Sequence, residues 1–442
     1  MSPNRHVVSL TAVLVLAISA SLAAWTRPGD PAGPRPAAAA EPASGPAIRL
    51  VATIPVESAI GDPTMPHAAE IWVEMIDGAQ RTLELEHFYL SHWPGEPTGP
   101  VIDAIGRAAR RGVRVRIVLD VRFHSTYPQP ADSLGQIPGI EVRWIDMKKV
   151  SGGGVQHAKF MVVDGLHLFV GSQNLDWRAL KHIHELGVRV RDARVAGLYQ
   201  RVFEYDWKAA GPDAATATAG PAPRLPKSAL AMLPLRLVQA EGDTAIVWPT
   251  FSPVGHIPDS SLWDLDRIVR LLDSARSEIV MQALTYGSGR GSERDSTLDL
   301  ALRRAAARGV TVRLLLSDWE ADNSRIRDLQ RLSQVTNVEA RLSTVPEWSG
   351  GYIPFARVEH CKYLVVDTLW TWVGTSNWEP DYFHTSRNAA LTIQNRPLAL
   401  QARAMFETGW RSPTARVVSA TETYQPKIHR ETPPAGRSVY GK

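Results

Sequence analysis

"VQHAKFMVVDGLHLFVGSQNLDW" (Val155 to Trp177) returns later in the same chain as "VEHCKYLVVDTLWTWVGTSNWEP" (Val358 to Pro380). In each copy a His-x-Lys pair precedes an apolar run, a short polar break follows, and a second apolar run ends in Gly-Ser/Thr-x-Asn. Two apolar runs joined by so short a break predict a β-hairpin. A self-match at a separation of roughly 200 residues predicts an internal duplication.

Working outward, the duplication extends upstream. "MIDGAQRTLELEHFYL" (Met75 to Leu90) and "VIDAIGRAARRGVRVRIVLD" (Val101 to Asp120) are answered by "LLDSARSEIVMQALTY" (Leu271 to Tyr286) and "LDLALRRAAARGVTVRLLLSD" (Leu298 to Asp318). Each half reads as a helix end, a strand, an amphipathic helix closed at Gly112 or Gly309, and a buried strand. That order predicts an α/β fold: two similar α/β/α sandwich lobes related by a pseudo-twofold axis. A chain of 442 residues has material for two such cores. The first lobe is placed at 48–207 and the second at 241–411. Residues 208–240, rich in Ala, Pro and Thr, read as a linker, and 412–442 read as a tail that wraps or frays.

Composition limits the function classes. Hydrophobic residues make up 44% and charged residues 21%, near the soluble globular average, which excludes a disordered chain and a multi-span membrane protein. The net charge of +4 favours phosphate-bearing partners only mildly. Cys361 is the single cysteine, which excludes an intrachain disulfide framework and Cys-rich zinc sites. At the start, Arg5 precedes an apolar run from Val7 to Ala24, so residues 1–24 read as a secretory signal peptide or, if retained, a membrane anchor. Residues 25–47, rich in Pro, Ala and Gly, read as a tether. The expectation is an exported protein, periplasmic or extracellular.

The duplicated polar residues carry the chemistry. They are His157, Lys159, Asp164, Ser172 and Asn174 in the first half, and His360, Lys362, Asp367, Thr375 and Asn377 in the second. On a strand, residues i and i+2 share a face, so each half can offer an imidazole and an ammonium to one site. Phosphodiester cleavage needs a nucleophile, a proton for the leaving alcohol, and donors around the non-bridging oxygens. Two facing copies of His, Lys and Asn meet those needs without a metal or other cofactor.

The paired elements are similar to the HxKxxxxD signature of the phospholipase D superfamily, and the resemblance runs from about Ile48 to Trp410. "KFMVVDGLHLFVGSQNLDWRALKHIHELGV" and "IPFARVEHCKYLVV" followed by "VGTSNWEPDYF" resemble most the branch holding the animal lysosomal single-strand exonucleases and the poxvirus envelope phospholipase-like proteins. That resemblance implies a bilobed fold with one active site between the lobes, a phosphohistidine intermediate, no required metal, and a largely structural role for Asp164 and Asp367. It also implies His157 as nucleophile, His360 as general acid, and Lys159, Lys362, Asn174 and Asn377 on the phosphate. Ser172 and Thr375 are further candidates for the phosphate. Glu185 stands where relatives carry the acid that orients the first histidine. The second half offers Asn388 or Ser386 in "HTSRNAAL" instead, so His360 is expected to lack an acidic partner.

Other patterns are read alongside. His182, His184 and Glu185 in "HIHE" mimic a metal site, but ordinary histidines beside one catalytic carboxylate are the preferred reading. His87 reads as a structural histidine or one at the cleft mouth. Trp177 and Trp378, next to the two Asn elements, are candidates to stack on bases or touch lipid tails, with core packing as the alternative. Arginines in "AIGRAARRGVRVR" read as a solvated helix face before a nucleic-acid patch. The partner is a phosphodiester substrate: the resemblance implies single-stranded nucleic acid degraded from an end, with phospholipid second, hydrolysed or passed as a phosphatidyl group to an alcohol. A non-catalytic binding protein on the same fold is the third reading, disfavoured because both His/Lys/Asn sets are complete. Oligomeric state stays open.

Overall fold

The computed structural model describes residues 45–442 apart from 212–219, 223, 240–241, 290–293, 322–325, 428–429, 435 and 441–442. The apolar run at Val7 to Ala24 and most of the Pro/Ala-rich stretch lie outside the described residues. The first lobe runs β1 (Ile48–Thr53), α1 (Ala68–Asp77), β2 (Thr82–His87), α2 (Thr98–Arg110), β3 (Arg114–Asp120), β4 (Ile140–Ile145), β5 (Phe160–Val163), β6 (His167–Gly171), β7 (Glu185–Arg191) and α3 (Ala193–Ala209). The second runs β8 (Leu235–Val238), β9 (Thr244–Ser252), α4 (Asp264–Ser274), β10 (Glu278–Ala283), α5 (Thr297–Ala307), β11 (Thr311–Ser317), β12 (Val338–Ser343), β13 (Tyr363–Val366), β14 (Trp370–Gly374), β15 (Asn388–Gln394), α6 (Arg396–Trp410) and β16 (Ala415–Val417).

The first sheet has the order β1-β7-β6-β5-β2-β3-β4, and the second repeats it as β9-β15-β14-β13-β10-β11-β12, extended by β8 and β16 at its edges. In both, the helix-linked strands pair in parallel and the motif hairpin pairs antiparallel. The apolar runs are uninterrupted because both faces of the motif strands are covered. Phe160 and Val162 enter an inner core, while Met161 and Val163 pack under α1 and α2. Tyr363 and Val365 repeat the inner contacts, and Leu364 and Val366 face α4 and α5. Helices α3 and α6 supply Tyr199, Phe203, Met405 and Phe406 to that inner core, which is continuous across both lobes. The two sandwiches are thus fused through their inner helices.

Local chemistry repeats as well. Gly112 (φ 91°) and Gly309 (φ 89°) turn the chain from helix to strand in the left-handed region, where a side chain is strained. Arg107 on α2 forks onto Asp77 at 3.0 and 2.7 Å, and Arg304 on α5 forks onto Asp273 at 3.0 and 2.9 Å. These helix arginines staple each helix to its predecessor, as surface residues do, instead of forming a patch. Two boundaries need correction: residues read as linker include β8, which zips onto β9, and the tail contributes β16 to the edge of β12. Alternation in "LRLV" was too short to outweigh the surrounding Pro and Ala.

The motif aspartates are clamps. Asp164 (φ 54°) accepts the backbone N–H groups of Gln80, Arg81 and Thr82 at 2.8, 2.7 and 2.8 Å, fixing the start of β2 beside the hairpin turn. Asp367 (φ 55°) does the same for Arg276, Ser277 and Glu278 at 2.9, 2.8 and 3.0 Å. Partial burial works against the ionised form of Asp367, but the hydrogen bonds outweigh it and hold its pKa below the usual carboxylate value. Because the folded pKa is depressed, its stabilisation is present above the unfolded value and is lost as pH falls through the folded one. Asp367→Asn should therefore cost about 1–3 kcal/mol at pH 7. In urea titrations that difference should shrink as pH drops below about 4; a constant difference would rule the clamp out.

Candidate active site

The motif residues of both halves meet where the lobes join. His157 and Lys159 lie in an extended segment just before β5, and His360 and Lys362 just before β13, rather than within the strands. The alternation still holds, since Ala158 and Cys361 turn into the inner core while the neighbouring imidazoles and ammonium groups gather at the site. The histidines remain 4% and 9% exposed, whereas both lysines are fully buried beneath them. Each lysine donates to the carbonyl of its own histidine, Lys159 at 2.5 Å and Lys362 at 2.6 Å, which holds the ammonium under the ring.

Backbone pairing across the pseudo-twofold axis sets what each imidazole meets. Gln156 bridges to Arg387, with the His157 N–H donating to the Arg387 carbonyl at 2.9 Å. His184 bridges to Glu359, with the His360 N–H donating to the His184 carbonyl at 3.0 Å. The next residue in each pair therefore faces a residue of the opposite lobe. His157 Nδ1 lies 3.1 Å from Asn388 Oδ1, and His360 Nδ1 lies 2.8 and 2.9 Å from the two Glu185 oxygens.

This overturns the expected placement of Glu185 beside His157 and of an unpartnered His360. The carboxylate serves His360, and the amide of Asn388 serves His157. The reason is topological: β7 and β15 each carry their partner residue across the interface. Asn388 cannot reverse its polarity cheaply, because its Oδ1 accepts from Thr375 Oγ1 at 2.8 Å and its Nδ2 donates to the Tyr382 carbonyl at 2.7 Å. His157 accordingly donates from Nδ1, and so does His360 to Glu185, leaving Nε2 of both rings for chemistry.

Thr375 and Ser172 need a second correction. Thr375 Oγ1 also accepts from the Ala389 N–H at 3.1 Å, and Ser172 Oγ accepts from the Leu186 N–H at 3.0 Å. Both hydroxyls brace the strand carrying a histidine partner instead of standing ready for phosphate. Asn174 and Asn377 differ, with buried amide oxygens that have no partner among the described residues. Since the two ends of an amide exchange by rotation, each can turn its NH2 onto a phosphate oxygen.

Polar networks behind the motifs hold the bridges. Gln156 Nε2 donates to Glu86 at 3.0 Å, and Gln282 Nε2 donates to Glu359 at 2.5 Å, the same contact with amide and carboxylate exchanged. Arg387, fully buried, forks onto Asp206 at 2.7 and 3.0 Å. The "HIHE" residues do not converge on a metal. His182 packs on Trp348 at 4.7 Å, His184 Nδ1 meets Glu359 at 2.6 Å, and Glu185 faces His360. His87 is buried against Trp72, and burial followed by Lys159 drives its pKa to about 3, so it is a core residue away from the cleft mouth. Trp378 is fully buried and Trp177 nearly so, which gives both to packing.

Electrostatics follow from burial. His157 titrates well below the usual imidazole value because burial, then Lys159 and Lys362, disfavour its cation. His360 is lowered by burial, Lys362, Lys159 and His157. Burial pushes the Glu185 carboxyl up, with Lys362 the first of the groups opposing it. Lys362 itself falls to about 7 through burial, against the pull of Glu185. Burial, then Lys362, lowers Lys159 as well. A dry pocket holding two amines whose charged forms are disfavoured, beside two imidazoles, is suited to an anion that restores their charge.

The chain is similar to several known proteins. The family model "Cardiolipin synthase, PLD-like domain" matches twice, at residues 72–207 and 268–410. Phospholipase D Z of Dictyostelium discoideum is 30% identical, over 84% of this chain and 90% of its own. The 5'-3' exonuclease PLD4 of Mus musculus is 31% identical, over 82% of this chain and 78% of its own. Among solved structures, the phosphatidylserine synthase of Haemophilus influenzae shares the fold with a TM-score of 0.59 and 14% identity, covering 81% of this chain and 87% of that one. The doubled family match, falling on the two lobes whose motifs build this one site, makes the chain an enzyme of the phospholipase D superfamily.

Proposed function

We propose that this chain is an exported phosphodiesterase that cleaves single-stranded nucleic acid from an end through a covalent phosphohistidine on His360. The observation that carries the mechanism is the pair of imidazoles with anchored Nδ1 and available Nε2, one on a carboxylate and one on an amide. A carboxylate favours the imidazolium-like state that a histidine enters when its Nε2 bonds to phosphorus. The carboxylate expected beside His157 lies beside His360 instead, so the nucleophile is assigned to His360.

Cleavage then proceeds in two balanced steps. His360 Nε2 bonds to phosphorus as the bond from phosphorus to the leaving oxygen breaks, and the His157 Nε2 proton passes to that oxygen. Water next attacks phosphorus, gives its proton to His157, and releases His360. Lys159, Lys362, Asn174 and Asn377 hold the non-bridging oxygens throughout. General acid–base help of this kind contributes about 10²- to 10⁴-fold. Relatives named 5'-3' exonuclease support the nucleic-acid reading, and relatives named phospholipase D support phospholipids as the second. The apolar run from Val7 to Ala24 behind Arg5 supports export.

Purified protein offered end-labelled single-stranded DNA and phosphatidylcholine vesicles in parallel should shorten the DNA, with EDTA leaving the rate unchanged. Consumption of the lipid alone would select the second reading. With a ³²P-labelled diester bearing a good leaving group, His157→Ala should accumulate label on the protein, and His360→Ala should take up none. Label retained by His360→Ala would return the nucleophile to His157. Because both imidazoles titrate low and one must carry a proton, kcat/KM should peak on the acid side of the usual histidine range. Above about pH 7 it should fall further as Lys362 loses its charge, by about tenfold per pH unit. A flat profile from pH 6 to 9 would contradict this account.

A further inference from the structure

The site's phosphate-binding centre is duplicated, but its rim is not. Strands β2 and β10 are equivalent in register, so Phe88 corresponds to Leu284 and Tyr89 to Thr285. Strands β3 and β11 end in equivalent caps: Asp120 accepts from the Arg122 N–H at 2.8 Å, and Ser317 accepts from the Trp319 N–H at 3.1 Å. Phe123 therefore corresponds to Glu320. At the positions where the first lobe places aromatic rings, the second places a leucine, a threonine bonded to Glu379, and a buried glutamate that accepts from the Tyr286 N–H; the second lobe's contribution beside His157 is Tyr382, edge-on at 4.9 Å.

The first-lobe rings form a graded surface leading away from His157. Phe88 meets the His157 ring edge-on at 5.0 Å, and the Lys159 ammonium lies 5.2 Å from the Phe88 centroid. Phe123 meets Phe88 at 4.5 Å. Tyr89 stacks on Phe123 at 4.8 Å and on Tyr127 at 5.4 Å, and Phe123 and Tyr127 are parallel within 3°. Phe88, Tyr89, Phe123 and Tyr127 are all half-buried, so each residue keeps some surface open to solvent.

The surface is held rigidly. Tyr89 donates its hydroxyl to Asp176 at 2.9 Å, and Arg178, itself forked onto Asp176, donates to the Tyr127 hydroxyl at 3.0 Å. The Asp120 carboxylate accepts the Gln156 N–H at 2.6 Å while capping the turn that carries Phe123. One carboxylate thus couples the rings to the segment bearing His157. A fixed array of near-parallel rings matches a flat heteroaromatic base, whereas a flexible acyl chain gains nothing from parallelism.

Resting on the nucleic-acid reading above, we propose that Phe123 and Tyr127, with Phe88 behind them, stack the base of the leaving nucleoside. In-line displacement puts the leaving oxygen opposite His360 and beside His157, the side on which these rings stand. The rim then gives a symmetric phosphate site a direction: the base-bearing leaving group lies on the first lobe, and the phosphoryl group stays with His360.

The test compares two short oligonucleotides, one normal and one with an abasic tetrahydrofuran residue at the leaving nucleoside, cleaved by the full chain. Wild type should prefer the normal one by roughly 5- to 150-fold in kcat/KM. Phe123→Leu should collapse that ratio toward one, and Phe123→Tyr should retain it; because the readout is a ratio within one preparation, partial misfolding does not mimic it. A wild-type ratio near one, or a ratio unchanged in Phe123→Leu, overturns the proposal. So does discrimination that appears only when the abasic residue is on the retained side. Cleavage of neither oligonucleotide, with phospholipid consumed, overturns the nucleic-acid reading and this proposal together, whereas cleavage of both at equal rates overturns this proposal alone.

Discussion

Everything at the site depends on two short backbone bridges across the pseudo-twofold axis, Gln156 to Arg387 and His184 to Glu359. They are the places where the main chain of one lobe hydrogen-bonds to that of the other beside the motifs. By fixing register there, they decide which side chain each imidazole finds. A slip of one residue would turn His157 and His360 into the core and bring Ala158 and Cys361 to the surface of the site. The buried networks behind the bridges, Glu86 with Gln156 and Glu359 with Gln282, make such a slip costly, because every member would lose its partner in a dry interior.

On this symmetric frame the differences carry the function. A glutamate on β7 and an asparagine on β15 occupy equivalent places, so one imidazole is paired with a carboxylate and the other with an amide. On the proposed mechanism, these unequal partners are what divides otherwise equivalent histidines into a nucleophile and a proton carrier. The rim differs as well: the first lobe carries Phe88, Tyr89 and Phe123 where the second has Leu284, Thr285 and Glu320, so His157 meets Phe88 of its own lobe as well as Tyr382 of the other. Duplication supplied a two-sided pocket lined by His, Lys and Asn from both lobes; divergence gave its sides different neighbours.

Much of the fold was legible in the residues. Uninterrupted "FMVV" and "YLVV" runs announced strands buried on both faces, and Gly112 and Gly309 marked the same helix-to-strand turn in each half. The spacing of the motif Asp after each run located the hairpin turn that it clamps. Less legible were β8 and β16, whose short runs in "LRLV" and "ARV" carry too little periodicity to stand out from their surroundings. They become strands because the edges of the second sheet offer unpaired backbone groups, a gain that depends on tertiary position.

By itself, the sequence determined that two α/β lobes exist and which motif segments come together, because a repeated local pattern encodes both strand formation and the side chains at its end. Only the tertiary structure decided who serves whom. Hydrogen-bond partners come from across an interface, and linear spacing, which placed Glu185 in the same half as His157, says nothing about the chain that arrives from the other lobe. Exposure followed the same rule: Trp177 and Trp378 adjoin the motifs in sequence yet are packed away, while Phe123 and Tyr127, remote in sequence from His157, are carried to its side by the loop after β3.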